Sequence, residues 1–370
     1  MRRFIIGIAL LLGVSACDTS PNLINCDFNE QSMLENYAEE IIVPRLSDLS
    51  LSLILLESST QEFISNPSIG LLNEVRIFYG TAYSQYQECS AFIFGPGLIN
   101  GVPYTERFNT FPTNVSEINQ NVSNSISVEI GVKSAVGFPA LDYLLFIEPG
   151  TTNDDVLALY TTDALVTERK TYLLDLTTEL KTTAIAIEQA WLASGGNYAA
   201  QFISNTGTAE GTSIGHLVNS MNFDFETLKN FKFKIPLGKF NGGVVIPEKV
   251  EAYYAGGSAF LARSQVEAFK KLFHGSTEAN SNGIGLYEYL LCLQTEGANG
   301  AFLADDISDQ FDAIEDAVNA ISDPMSDALV SDFETVDNAY LQMQMMVPKI
   351  KYEMSSALGV QINYQDNDGD

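Results

Sequence analysis

The chain has 370 residues, with 19 Lys and Arg against 47 Asp and Glu, and its formal net charge is −28 at pH 7. A body this acidic repels nucleic-acid phosphates and anionic lipid headgroups, so we expect no nucleic-acid partner. The length suits two domains of ordinary size. The chain has only two histidines, His216 and His274, which excludes a three-histidine zinc site.

The first 16 residues have the pattern of a secretory signal peptide. Arg2 and Arg3 precede an apolar run over residues 4–14, and small residues lead up to Cys17. The apolar run is shorter than the roughly 20 residues that a membrane-spanning helix needs. Residues 14–17 are similar to a bacterial lipobox, so we expect Cys17 to carry the lipid that anchors the protein to a membrane of the cell envelope, on the periplasmic or the surface face. A plain secreted protein is the alternative.

Residues 17–29 are polar and turn-rich, which indicates a lipidated tether between the membrane and the folded body. With Cys17 lipidated, Cys26, Cys89 and Cys292 remain. Three cysteines allow at most one disulfide and one free thiol. The sequence leaves the pairing open.

Apolar residues at three-and-four spacing predict helices through most of the first half. A stripe over residues 33–56 is interrupted by Pro44, where we expect a kink or a break. The further predicted helices cover residues 69–94, a segment from about 116, a segment from about 138 to before Pro149, and one long helix over 153–194.

The second half opens with a predicted irregular or β insert near residues 231–247. Helical patterns then resume over residues 248–273, 284–293, 305–321 and 327–346. Few segments alternate as strands do, so the fold class predicted is all-α. Its simplest form is two helical bundles, over residues 30–150 and 151–370.

Two short motifs resemble known sites. Residues 211–215 match the Gly-x-Ser-x-Gly pattern around Ser213, but the preceding residues are polar and do not predict the buried strand that a nucleophile elbow requires. Asp366, Asp368 and Asp370 resemble half of a calcium loop, but the later ligands are absent and a solvated acidic tail is the favoured interpretation.

The segment 137–146 is the most informative. On its residues alone it predicts a helix start, with Pro139 and Asp142 in the first turn, where exposed N–H groups stabilise a carboxylate. It also resembles the Gly-x-His-x-x-Glu signature of imelysin-like proteins: Gly137 matches the glycine, Pro139 takes the histidine position and Asp142 takes the glutamate position. Other matching segments, in order and spacing, are 88–96, 107–112, Trp191, 228–238 and 358–370.

This resemblance implies an all-α body of two bundle-like halves related by a pseudo-twofold, with the signature near the cleft between them. Family members are envelope proteins, several of them linked to iron acquisition, and the family is named for a peptidase activity. Here Pro139 has no nitrogen that could bind a metal or accept a proton, and Asp142 is one methylene shorter than glutamate. Both changes argue against metallopeptidase chemistry.

Three functions follow from the resemblance. The first is a non-enzymatic binding lipoprotein that serves uptake of iron or another ligand, together with proteins of an uptake system. Its site would include Gly137, Pro139 and Asp142, with Glu88 and Arg107 as neighbours. Asp142 and Glu88 would hold iron or another hard cation, or Arg107 would hold an anion. The second is a metal-dependent peptidase, and the third is a scaffold or partner subunit without a binding site.

Overall fold

A computed structural model of the chain describes residues 26–128, 132–278 and 281–364. The signal peptide of residues 1–16, the lipidation site Cys17, most of the tether and the acidic tail with Asp366, Asp368 and Asp370 lie outside the described residues. Within those residues, every helix is too short or too polar to cross a membrane.

Helices α1–α8 occupy the first half of the chain. Asn29 and Ser68 begin two of them, because each side chain accepts a hydrogen bond from a backbone N–H of the first turn, at 3.0 and 3.3 Å. Their bounds are Glu30–Asn36 (α1), Val43–Ser65 (α2), Ile69–Cys89 (α3), Thr105–Phe108 (α4), Val115–Ser123 (α5), Gly137–Phe146 (α6), Asn153–Ala158 (α7) and Val166–Trp191 (α8). A small antiparallel hairpin pairs the strands Leu98–Ile99 (β1) and Val102–Pro103 (β2).

Helices α9–α16 occupy the second half. Their bounds are Tyr198–Ser204 (α9), Ser213–Thr227 (α10), Ser258–His274 (α11), Leu286–Leu293 (α12), Leu303–Asn319 (α13), Met325–Ser331 (α14), Phe333–Pro348 (α15) and Ser355–Leu358 (α16). Wider π-helical turns follow α1, α10 and α15, at Tyr37–Ile42, Leu228–Lys234 and Lys349–Met354. The all-α fold class predicted from the sequence is confirmed.

The two bundles divide the chain later than predicted. Helix α2 packs along α3 and α8, and α8 also contacts α5 and α6, so α8 belongs to the first bundle. The second bundle is built on α11, α13 and α15, and α3 packs against α11 between the bundles. The predicted boundary between residues 150 and 151 is therefore wrong, because it separates α8 from its packing partners. The pseudo-twofold relation stays a prediction.

The predicted helix over residues 153–194 is two helices, α7 and α8. The carboxylate of Asp163 accepts a hydrogen bond from the backbone N–H of Leu165 at 2.8 Å. Such local side-chain bonds compete with helical hydrogen bonds. The chain therefore turns at residues 159–165 before α8 begins.

The expected interruption at Pro44 is absent. The π-helical turn Tyr37–Ile42 precedes it, and Pro44 lies in the first turn of α2, where a missing N–H costs little. The chain thus stays helical from Glu30 to Ser65.

The insert predicted near residues 231–247 begins helical and then becomes irregular. Its first residues complete the π-helical turn Leu228–Lys234, and among its described residues no strand forms. The helix predicted from residue 248 is also wrong at its start. Residues 250–257 form a loop, since backbone N–H groups there bind a side chain of the first bundle and Ala252 has a positive φ of 47°.

A disulfide joins Cys26, just before α1, to Cys292 in α12, across 266 residues of chain. Cys89 is a buried free thiol. The structure thus shows the one-bridge arrangement that the cysteine count allowed and identifies its pairing.

Candidate functional site

The glycine of the signature segment has a structural role at the start of α6. Gly137 has a φ of +72°, and a Cβ there would lie 2.3 Å from the carbonyl oxygen of Arg107 and 2.4 Å from that of Phe108. Only glycine fits such a close approach with this backbone conformation. Pro139 is buried, and its carbonyl accepts a hydrogen bond from the hydroxyl of Thr113 at 3.0 Å.

Asp142 is buried, with 1% of its surface exposed, and its carboxylate links the two halves of the protein. Oδ2 accepts the backbone N–H of Tyr254 at 2.9 Å, and Oδ1 accepts the N–H of Ala255 at 2.9 Å and the hydroxyl of Tyr79 at 3.2 Å. Burial raises the pKa of Asp142 to about 7, although the three hydrogen bonds oppose that rise. Asp142 therefore holds the loop of residues 250–257 against α6.

Glu88 and Arg107 are both engaged in ion pairs elsewhere. Glu88 lies 3.2 Å from Arg45 and 3.5 Å from Lys271, which ties α3 to α2 and α11. Arg107 lies 2.5 Å from Glu179 and donates to the carbonyl of Val128 at 2.8 Å. The expectation that these two residues and Asp142 form one ligand site is not met, because each binds a different part of the scaffold.

The predicted metal ligands do not fit a metal ion. Both oxygens of Asp142 already accept protein donors, the carboxylate of Glu88 is paired with two cations, and Pro139 has no side-chain donor atom. Among the described residues, no group of three or more His, Cys, Asp and Glu side chains is arranged to hold a metal. The metal assignment to Asp142 and Glu88 is therefore corrected: both carboxylates stabilise the packing of helices and loops.

A cavity of about 180 Å³ lies between the two bundles, close to but separate from these residues. The first bundle lines it with α3 and residues 105–111, and the second bundle lines it with α10, the π-helical turn Leu228–Lys234 and α11. We call it the inter-bundle cavity. One water molecule needs about 10–15 Å³ of such space, so this cavity has room for a small molecule.

Glu88 lies beside the inter-bundle cavity, in the wall of a neighbouring space of about 10 Å³. That space has room for about one water. It shares Gln87, Ser90, Asp224 and Gln265 with the larger cavity.

A buried ion pair stands at one side of the inter-bundle cavity. Lys232 lies 2.7 Å from Glu251, and their side chains are 2% and 0% exposed. Glu251 also accepts hydrogen bonds from Gln87 at 3.1 Å and Asn109 at 2.7 Å, and Lys232 donates to Gln87 at 2.8 Å. Burial lowers the pKa of Lys232 and the charge of Glu251 opposes that change. Partners from both bundles satisfy this pair, as a buried charge requires.

A second buried carboxylate, Asp224 of α10, faces the cavity. Its Oδ2 accepts the hydroxyl of Ser90 at 2.6 Å and the side-chain amide of Gln265 at 3.0 Å. Burial raises the pKa of Asp224 to about 6, against the effect of these bonds and of the more distant Lys232. The site thus combines one satisfied ion pair with one carboxylate that has only neutral partners.

Sequence reasoning missed Asp224, Lys232 and Gln265 as site residues. The sequence offers one signal for such a site. Asp224 falls at helical spacing within a buried apolar series of Leu217, Met221 and Leu228. A carboxylate within an apolar stripe is costly unless it has a role or a partner.

The Gly-x-Ser-x-Gly motif is a helix start. Thr212 caps α10, Ser213 is buried, and its hydroxyl donates to the carbonyl of Phe202 at 2.7 Å. The neighbouring His216 stacks on the ring of Phe94. Ser213 therefore has no nucleophile-elbow geometry.

Comparison with known protein families matches residues 42–345 to the family model described as Imelysin (peptidase M75). A search of curated proteins found no match.

Two crystal structures share the fold. One is a protein named iron-regulated protein A precursor from Parabacteroides distasonis ATCC 8503, with a TM-score of 0.73 and 16% identity over 89% of this chain and 95% of that one. The other is an imelysin-like protein from Psychrobacter arcticum 273-4, with a TM-score of 0.69 and 16% identity over 92% of this chain and 99% of that one. At this identity, the likeness shows the fold alone.

Proposed function

The chain belongs to the imelysin family, and on that premise we propose that it is a ligand-binding protein of the bacterial cell envelope that holds a small ligand in the inter-bundle cavity. The observation that carries the proposal is the cavity itself, which lies between the two bundles and is lined by a largely buried carboxylate and by aromatic side chains. Pockets with apolar walls and a few convergent polar groups are the usual form of small-molecule sites.

Binding fits the residues better than metal-dependent peptidase chemistry does. A metallopeptidase activates water on a bound ion, which needs several free ligand atoms at one place. At the family position, Pro139 supplies no side-chain ligand, and both oxygens of Asp142 already accept backbone N–H groups from the opposite bundle. A pure scaffold would have no need for the polar groups that face the inter-bundle cavity.

The envelope location rests on the signal and lipobox pattern of residues 1–17. It predicts that Cys17→Ser moves the protein from the membrane fraction to the soluble fraction of cells. The name of the Parabacteroides protein, which calls it iron-regulated, supports a role linked to iron, in which this protein would act with components of an uptake system.

The test is to isolate the full-length protein from its native envelope and to measure its bound small molecules by mass spectrometry and its metals by elemental analysis. Thr227→Phe fills the cavity. Thr171→Phe is the matched control, because both hydroxyls bond a helical carbonyl four residues earlier at 3.0 Å, but Thr171 is exposed on α8.

We expect a near-stoichiometric small molecule in the wild type and in Thr171→Phe, and its loss in Thr227→Phe. Equal content in all three proteins would contradict the proposal. Cleavage of an unfolded protein that is stopped both by a chelator and by Asp142→Ala would support the peptidase instead.

A further inference from the structure

The inter-bundle cavity carries an uncompensated negative charge. Three charged side chains line it: Asp224, Lys232 and Glu106. Lys232 forms its ion pair with Glu251, and Glu106 forms an ion pair with Lys133. Among the described residues, no cation forms an ion pair with Asp224, which is only 6% exposed.

Asp224 keeps one oxygen free toward the cavity. Both of its hydrogen bonds go to Oδ2, and Oδ1 accepts none from the described residues. A buried carboxylate has about four acceptor positions and is costly when they are unfilled. The arrangement therefore leaves a place for a donor that comes from outside the protein.

Gln265 binds the other oxygen of Asp224 and holds the carboxylate in place. Its amide nitrogen donates to Asp224 and to Ser90 at 3.1 Å, and these bonds fix the orientation of the amide. Its Oε1 then has no hydrogen-bond partner, although the side chain is 98% buried. Because Oε1 has almost no accessible surface, a ligand in the cavity meets Asp224 instead, and this charged acceptor selects a ligand that brings N–H groups and positive charge.

The rest of the cavity wall is mainly apolar. Ile93 of the first bundle and three aromatic residues, Phe111, Phe223 and Phe231, line it with the ring of Tyr86. Such a wall excludes water from an apolar ligand body, and aromatic ring faces attract organic cations.

We propose that the ligand of the inter-bundle cavity is a small organic ammonium compound, whose N–H groups bind Asp224 and whose apolar part lies against the aromatic wall. This assignment rests on the binding function proposed above and adds the chemical class of the ligand.

A bare metal ion fits the same place less well. Hard cations such as Ca²⁺ take six to eight oxygen ligands, usually with several carboxylates. Here the cavity is lined by two carboxylates, Asp224 and Glu106, and Glu106 forms an ion pair with Lys133, so the described residues offer fewer free carboxylate oxygens than such an ion takes.

The test uses three probes of equal shape and different charge: benzylamine, benzyl alcohol and benzoate. Binding to full-length, detergent-solubilised protein, dialysed free of small molecules, is measured by isothermal titration calorimetry near neutral pH. We expect benzylamine to bind at least tenfold more tightly than benzyl alcohol, and benzoate to bind most weakly. This order is measured on the wild-type protein and needs no variant to fold.

The substitution Asp224→Asn then tests whether this carboxylate binds the positive charge of benzylamine. It should weaken the binding of benzylamine at least tenfold and leave the binding of benzyl alcohol unchanged. Asp316→Asn, at an exposed position of α13, should change neither affinity. Benzoate as the tightest probe, equal binding of amine and alcohol, or displacement of the amine by Ca²⁺ would overturn the ammonium assignment.

The two proposals fail in different ways. If the native protein retains a molecule that Thr227→Phe loses, but that molecule is uncharged or anionic, the ammonium assignment is wrong and the binding function stands. If no molecule is retained and no probe binds, both are wrong.

Discussion

The link between Asp142 and the loop of residues 250–257 predicts an unusual pH dependence of stability. The pKa of Asp142 rises from 3.8 to about 7 on folding, since burial disfavours the carboxylate. Between these pH values the folded protein binds a proton that the unfolded chain has lost. Stability is therefore greatest below the unfolded pKa and falls as the pH rises through the folded pKa.

The magnitude follows from the shift. Each unit of pKa corresponds to about 1.4 kcal/mol, and Asp142 is half ionised at its folded pKa, so it alone should lower the free energy of unfolding by about 2 kcal/mol between pH 5 and pH 7. The substitution Asp142→Asn removes the titration while keeping an oxygen that accepts one of the two backbone N–H groups. The variant should lose this part of the pH dependence, whatever its absolute stability.

The assay is urea unfolding at pH 5, 6, 7 and 8, followed by circular dichroism and by the fluorescence of Trp191, the single tryptophan, which is buried in the first bundle. Asp316→Asn controls for the loss of an exposed carboxylate. If wild type and Asp142→Asn show parallel free energies of unfolding across this range, the assignment of Asp142 as a buried, raised-pKa carboxylate is refuted.

Three other perturbations test the scaffold. In thermal unfolding, Gly137→Ala should destabilise the protein by about 2–4 kcal/mol or prevent folding, because its Cβ would clash with two carbonyl oxygens. The control Gly101→Ala, at a φ of +80° with open space around it, should destabilise by only about 1 kcal/mol. Lys232→Met should cost about 3–5 kcal/mol in urea unfolding by leaving Glu251 buried without its cation, and adding Glu251→Gln should recover most of that loss. Reduction with dithiothreitol should lower the free energy of unfolding of the wild type by about 2–5 kcal/mol and leave Cys26→Ser/Cys292→Ser unchanged.

Most of the fold follows from apolar periodicity, because α2, α3, α11 and α13 each bury a continuous stripe. The errors lie where local polar bonds override that pattern. Asp163 binds a backbone N–H in the turn between α7 and α8. The loop of residues 250–257 is held against α6 by Asp142, a residue more than one hundred positions earlier. Neither interaction can be recognised from the apolar spacing within one helix-length stretch of sequence.

The site was predictable only in part. The signature predicted Asp142 as a ligand-site residue near the cleft; the structure shows it bonded to backbone N–H groups of the second half, which no residue pattern identifies. The inter-bundle cavity depends on α3 packing against α11 and on the π-helical turn that carries Lys232. These are long-range features of packing, and the sequence marks them only by polar residues on apolar stripes.

The most direct test of the central claim is a crystal structure of the protein isolated from its native envelope. The account predicts density for a small molecule in the inter-bundle cavity, with a nitrogen at hydrogen-bond distance, about 2.7–3.0 Å, from Oδ1 of Asp224. A cavity that holds only ordered water, or a ligand bound instead at Asp142 or Arg107, would contradict it.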